Sequence, residues 1–139
     1  MRIPLTPELL RVLPVHDAQV VSIEIVPGGY GGLRFCLAIR LHGDESLDEI
    51  SKLGITSRSL RLTCDNCWQI SSTLLGTNSR AETIDDWMVI EESTLIAELK
   101  SLCLGRGVNL AHHRIIWSGG SQMDVVTAES GFAVESVAI

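Results

Sequence analysis

The sequence predicts one α+β domain, residues 1–139, built around a curved and mainly antiparallel sheet of six or seven strands. Several segments alternate apolar and polar residues, which is the period of a strand with one buried face. Short turns join most of these segments, so strands adjacent in sequence are expected to pair antiparallel. Helical spacing predicts one main helix at about 93–104 and short helices near 6–13 and 46–53, packed with the sheet.

The N-terminal third predicts a short helix followed by a hairpin. Thr6 is a typical N-cap, Pro7 is a typical first helical residue, and Pro14 ends the helix. Residues 18–26 and 33–41 alternate with period two, and the second segment is the clearest strand in the sequence. The glycine-rich stretch between them predicts a turn, so the two strands form an antiparallel hairpin.

The middle third predicts a short helix and then a strand. Ser46 and Glu49 form a capping box at the start of the helix 46–53. Alternation resumes over residues 57–76 and is interrupted at Asp65-Asn66, where we expect a turn or a bulge.

The C-terminal third combines the main helix with the last strands. Residues 84–90 form a weaker strand, and Ser93 caps the main helix. Two further strands are predicted at about 111–117 and 122–129, on either side of a glycine turn. Phe132 begins a last strand, which we expect at the edge of the sheet.

Composition indicates a self-interface. Apolar residues make up 45% of the chain, charged residues make up 20%, and the mean hydropathy is +0.25. These values are apolar for a small soluble domain, which seldom leaves large apolar patches in water. We therefore expect a homo-oligomer, most simply a two-fold homodimer.

Charge and hydropathy exclude other partners. The net charge is −6 and the 11 basic residues are scattered, so no basic stripe for nucleic acid is present. No apolar run reaches the length of a membrane span. Glu8 and Arg11 interrupt the only candidate export signal, so we expect a cytoplasmic protein with reduced cysteines.

Cys64 and Cys67 form a CxxC motif. Structural zinc needs four ligands, and no second pair of cysteines with this spacing is present. A redox motif needs a helix after its first cysteine, whereas the following sequence is strand-like. We interpret both as buried structural cysteines and predict no metal or other cofactor.

His112 and His113 are the candidate histidine ligands for those thiols. Neighbouring residues of a strand point to opposite faces, so both imidazoles are not expected to reach one ion. We expect one histidine to be buried or at an interface and the other to be solvated.

Asp124 is the most informative acidic residue. It alternates with Gln122, Val126 and Ala128, so it is predicted on a largely apolar face of its strand. A partly buried acid is either hydrogen-bonded or functional, and the sequence leaves both alternatives open. No catalytic residue is predicted, because Ser-His-Asp sets are arbitrary without a GxSxG nucleophile elbow.

The tryptophans Trp68, Trp87 and Trp117 are candidate interface anchors. Tryptophan is enriched at binding hot spots, although burial in the core is its more frequent role.

One segment resembles a known family. The residues His16-Asp17-Ala18-Gln19-Val20-Val21-Ser22-Ile23-Glu24-Ile25 are similar to the first-strand motif of small bacterial β proteins. Some of those proteins are predicted immunity proteins of polymorphic toxin systems. The resemblance implies a non-enzymatic binding role in a bacterial cytoplasm, and it implies no catalytic residues.

The leading hypothesis is therefore a non-catalytic protein-binding module that acts through the sheet or its edges. An immunity-type inhibitor is one example of such a module. One alternative is a small metal- or thiol-dependent enzyme that uses Cys64, Cys67 and a histidine. Another is a structural subunit of a homo-oligomer.

Overall fold

The computed structural model describes residues 2–28, 32–42, 48–73, 83–104, 107–128 and 131–137. Strands hold 55% and helices 15% of these described residues. The strands are β1 (Arg2–Pro4), β2 (Gln19–Pro27), β3 (Leu33–Arg40), β4 (Ser59–Thr73), β5 (Ile84–Ile90), β6 (Leu110–Trp117), β7 (Gln122–Ala128) and β8 (Phe132–Ser136). The helices are α1 (Pro7–Val12), α2 (Asp48–Ser51) and α3 (Thr94–Ser101).

The sheet is organised around β4, its longest strand. β3 pairs with one side of β4. On the other side, β8 pairs with residues 60–64 and β7 with residues 67–73, so β7 and β8 act as one long bent strand. The sheet continues from β7 through β6 to β5, and from β8 to β1. Every described strand pair is antiparallel.

The sheet curls until β5 meets the start of β2. Gln19 and Thr83 form a single antiparallel bridge. The Ile84 N–H donates to the Ala18 carbonyl over 3.0 Å. The His16 ring donates from Nδ1 to the Asp85 carbonyl over 2.6 Å, so the His16 side chain fastens β5 to the segment that precedes β2.

The core lies on the inner face of the sheet, defined here as the face that carries Leu37, Leu62 and Val125. All three side chains are fully buried, as are Phe132 and Trp117. Burial of one such side chain contributes about 1.5–3 kcal/mol. Phe132 packs edge-on against two further aromatic rings, with centroid separations of 6.0 Å to Phe35 and 5.7 Å to Trp87. The opposite face is called the outer face below.

Two register shifts in β4 set the direction of its side chains around Cys67: one lies between Cys64 and Cys67 relative to β3, and the other lies between Cys67 and Gln69 relative to β7. Phe35 lies opposite Cys64, and Leu33 lies opposite Cys67, so three steps along β4 match two along β3. The extra residue lies at Asp65-Asn66, where the sequence predicted a turn or a bulge. Both cysteines consequently point to the inner face and are buried.

The predicted antiparallel curved sheet is found, but six or seven strands were too few. The described residues form eight, because β1 is a three-residue strand without alternation that pairs with β8. This pairing also corrects the expectation for β8. It is not an edge strand, since β1 and β4 flank it.

The helices are shorter than predicted. The main helix, expected at about 93–104, spans Thr94–Ser101, and Cys103 has left the helix with a φ of +60°. The helix expected near 6–13 spans Pro7–Val12. For the helix near 46–53 the structure gives Asp48–Ser51, and its predicted capping box falls outside the described side chains, as does most of the glycine turn before β3.

No helix of the described residues is both long and apolar enough to cross a lipid bilayer.

We expect Phe132→Ala to lower the free energy of unfolding by about 3–5 kcal/mol, because it removes a fully buried ring from the centre of the core. Urea unfolding followed by circular dichroism measures this loss. The control Leu104→Ala changes an exposed side chain and should stay within about 0.5 kcal/mol of the wild type. Equal losses in the two variants would contradict this placement of the core.

Candidate functional site

The two neighbouring histidines of β6 point to opposite faces, as the sequence predicted. His113 lies on the inner face, and His112 lies on the outer face, where α3 packs against β6. The expectation that one of them is solvated was wrong, because His112 is 2% exposed and His113 is 4% exposed. The helix covers the first ring, and the aromatic core covers the second.

Asp124 is the centre of a polar network on the outer face of β6 and β7. Its Oδ1 accepts hydrogen bonds from His112 Nε2 over 2.6 Å and from Arg114 Nε over 2.9 Å. Its Oδ2 accepts from Gln122 Nε2 over 2.8 Å. Burial alone raises the pKa of Asp124, but the hydrogen bonds from Gln122, His112 and Arg114 outweigh it and hold the pKa below its ordinary value. The carboxylate is therefore charged and fully paired.

Ser93 extends this network to α3. Its Oγ accepts the Ile96 N–H over 3.1 Å, as an N-cap does. The Ser93 hydroxyl hydrogen is then free to be donated to His112 Nδ1, which lies 2.7 Å away. The His112 ring hydrogen is consequently on Nε2 and is donated to Asp124. Ser93, His112 and Asp124 thus follow the donor order of a nucleophile, a base and an orienting acid.

Ser93 is half-buried and faces a shallow surface cavity of about 540 Å³. Thr94, Ile96 and Lys100 of α3 line the same cavity. Solvent therefore approaches the network from the Ser93 side, while His112 lies behind it. The sequence revealed Ser93 as a helix cap, but nothing local could reveal its partner, because His112 belongs to another element.

The two thiols of the CxxC motif meet in the core. The Cys64 thiol donates to Thr127 Oγ1 over 3.0 Å. The hydrogen bond from Cys67 lowers the pKa of Cys64, and the same hydrogen bond, together with burial, raises the pKa of Cys67. Among the described residues, no three His, Cys, Asp or Glu side chains are placed to hold a metal ion. His112 lies on the opposite face of the sheet from these thiols.

His113 is held neutral in the core. Its Nδ1 accepts the indole N–H of Trp87 over 3.0 Å, so its ring hydrogen is on Nε2. Burial, followed by the nearby His112, lowers the pKa of His113 to about 4. The ring lines a cavity of about 360 Å³ between β6 and the segment Pro4–Glu8.

The tryptophans differ in exposure. Trp87 and Trp117 are buried in the core, whereas Trp68 is 41% exposed next to the bulge of β4. Only Trp68 among the three is therefore placed to contact another molecule.

The β2 edge, defined as residues 20–27, carries three large apolar side chains that the described structure leaves exposed. In the described chain these residues pair with β3 and with no other strand. Val21 is 60%, Ile23 37% and Ile25 45% exposed. Ile23 and Ile25 lie opposite the fully buried Leu37 and Phe35, so they belong to the inner face but lie at its rim.

Sequence reasoning identified β2 as a strand but not as an exposed edge. Its alternation is typical of a strand with one buried face, and strand order, which decides the exposure, is a long-range property. The apolar composition was the only sequence signal that pointed to uncovered apolar surface.

Comparison of the chain with models of known families, with curated proteins and with solved structures gives no match. The likeness of residues 16–25 to predicted immunity proteins stays a prediction.

Acid should destabilise the protein through His113. The pKa of His113 is about 4 in the folded chain, against 6.5 for an ordinary histidine, so the unfolded chain binds the proton first as the pH falls. Above pH 6.5 His113 therefore does not lower the free energy of unfolding, and at pH 4 it lowers it by about 3 kcal/mol. Urea unfolding between pH 7 and pH 4 measures the slope.

The variant His113→Gln keeps an acceptor for Trp87 and should lose most of this slope. His16→Gln is the matched control, because His16 is exposed and its pKa is raised rather than lowered. An unchanged slope in His113→Gln would contradict the neutral buried imidazole.

Proposed function

We propose that the chain is a protein-binding module whose recognition element is the β2 edge. The observation that carries this proposal is the exposure of Val21, Ile23 and Ile25 on a segment, residues 20–27, that pairs on one side only within the described residues. Such an edge offers backbone donors and acceptors to an incoming strand, and the apolar side chains add contact area. The mode of binding is the addition of a strand from another protein chain.

The β2 edge carries little of the usual protection against strand addition, namely a register shift between Val20 and Ser22 and a proline at its end. Soluble proteins place lysines, prolines or inward charges on exposed edges. Between Val20 and Val26 the only charged residue is Glu24, and Pro27 comes at the end of the strand. This edge is therefore competent to pair.

The two faces of β2 define which side chains a partner strand must carry. Ile23 and Ile25 favour apolar residues at alternate positions of the partner. On the outer face, Glu24 and Arg34 line a polar cleft of about 270 Å³, so the intervening partner residues are polar. An immunity-type inhibitor in a bacterial cytoplasm is one form of such a module, and the resemblance of residues 16–25 supports it.

This proposal needs no catalytic group and no cofactor. A structural homo-oligomer would use the same edge, so that alternative differs only in its partner. The thiol enzyme is less favoured, because Cys64 and Cys67 are buried and His112 lies on the other face of the sheet.

Comparative affinity capture from the native host tests the binding function. We expect the tagged wild type to retain one protein in stoichiometric amount, and we expect Ile23→Lys to lose that protein. An untagged copy of this chain counts as such a protein. A lysine at position 23 places a charge among the apolar side chains of the edge, and this lowers the affinity by about tenfold or more. Mass spectrometry of the eluates measures the retained proteins.

Leu102→Lys is the matched control, because Leu102, at 69%, is the most exposed large apolar side chain outside β2 among the described residues. It should retain the same protein as the wild type. Identical eluates from all three proteins, or loss in the control alone, would place the binding surface elsewhere and contradict the proposal.

A second candidate function is acyl transfer at Ser93, which the hydrogen-bond chain to His112 and Asp124 specifically favours. In this reaction Ser93 Oγ attacks an ester carbonyl, and its proton moves to His112 Nδ1. The proton then passes to the departing alcohol, Asp124 stabilises the imidazolium, and water releases the acid. This function ranks second because Arg114 shares the Asp124 carboxylate and Ser93 already caps α3.

Labelling with a fluorophosphonate tests this second function. An active Ser93 displaces fluoride and gains one phosphonyl group per chain, which intact-mass measurement detects. Ser93→Asn keeps a good N-cap but removes the nucleophile, so labelling should disappear without unfolding. Thr6→Ala, which removes the cap of α1 instead, should still be labelled. An unlabelled wild type would eliminate the acyl-transfer function.

A further inference from the structure

We propose that the strand accepted by the β2 edge is β2 of a second copy of this chain. The two strands pair antiparallel about a two-fold axis at Ile23. This inference rests on the proposed binding function and names its partner.

The two ends of the β2 edge fix the centre of the pairing. At one end Gln19 is already engaged by its bridge to Thr83, and at the other Pro27 has no N–H to donate. A two-fold axis at Ile23 places Gln19 of one copy opposite Pro27 of the other. The two positions that cannot extend the ladder therefore coincide at its ends. The register shift of β2 between Val20 and Ser22 falls near both ends, so the regular part of the ladder is centred on Ile23.

The side chains match in the same register. Ile23 lies opposite Ile23 of the second copy, and Val21 lies opposite Ile25. Ser22 lies opposite Glu24, where a hydroxyl meets a carboxylate. Apolar residues face apolar residues at positions that are exposed in the single chain. Each such cross-strand pair contributes about 0.2–1 kcal/mol.

Other registers are less favourable. A shift that centres the axis on Glu24 places two carboxylates directly opposite each other, which is destabilising. A shift by a single residue places the apolar side chains of the two β2 strands on opposite faces of the joined sheet. The two-fold axis at Ile23 avoids both, and it uses one surface twice, as an isologous dimer requires.

Self-pairing of β2 also accounts for the high apolar content of the chain. The chain is 45% apolar, and three large side chains of one strand are exposed in the isolated copy. A dimer joins the two sheets edge to edge and brings six such side chains into one continuous row.

Sedimentation velocity tests the partner. We expect the wild type and Leu102→Lys to sediment as dimers, and Ile23→Lys and Ile25→Lys to sediment as monomers with unchanged circular dichroism. Two separate lysine variants guard against misfolding of either one.

Cysteine cross-linking tests the register. In a Cys103→Ser background, which removes an exposed thiol, Ile23→Cys should form a disulfide-linked dimer when diamide is added. Val21→Cys should not, because its counterpart lies four residues away along the ladder, roughly 13 Å at the rise of a strand.

The outcomes separate this inference from the proposed function. A monomeric wild type that captures another protein, and loses it on Ile23→Lys, overturns the second copy as partner but leaves the binding function. A monomer whose captured proteins do not respond to Ile23→Lys overturns both. A dimer that survives both lysine variants overturns the β2 interface, and equal cross-linking at positions 21 and 23 overturns the register.

Discussion

The strand β4 is the constraint on which the rest of the sheet depends, because β3, β7 and β8 all take their register from it. An extra residue at Asp65-Asn66 turns Cys67 to the inner face beside Cys64, whereas strict alternation would place Cys67 on the outer face. A second register shift between Cys67 and Gln69 restores the alternation, so Ile70 lies opposite the inner Val125. The strand therefore bends between its halves, and both halves present apolar side chains to one core.

Local features of the fold were predictable from the sequence, whereas long-range ones were not. The caps Thr6 and Ser93 and the opposite faces of His112 and His113 follow from residue type and period, and the structure agrees with them. The strand β1, the exposure of β2 and the contact between Ser93 and His112 depend on which strands and helices become neighbours. A single sequence contains no local signal for that order. Composition indicated that apolar surface remains uncovered, but not where.

The two buried histidines show how one strand places the same residue type in two electrostatic settings. His112 contacts a carboxylate and a hydroxyl and links α3 to the sheet through these two hydrogen bonds, and the one to the Asp124 carboxylate is charge-assisted. His113 contacts an indole and a phenyl ring, and burial, followed by the nearby His112, lowers its pKa. The outer network therefore fixes the position of the helix, while the inner imidazole behaves as a polar member of the aromatic core.

Glu24 has a consequence for colloidal behaviour. The segment Val20–Val26 is rich in β-branched residues, lacks proline and carries one charge, which is the composition of segments that stack into cross-β fibrils. In chains that are newly made or partly unfolded, Glu24 is the only gatekeeper against such stacking. Replacing this carboxylate with a neutral side chain would therefore favour insoluble fibrils over a finite assembly.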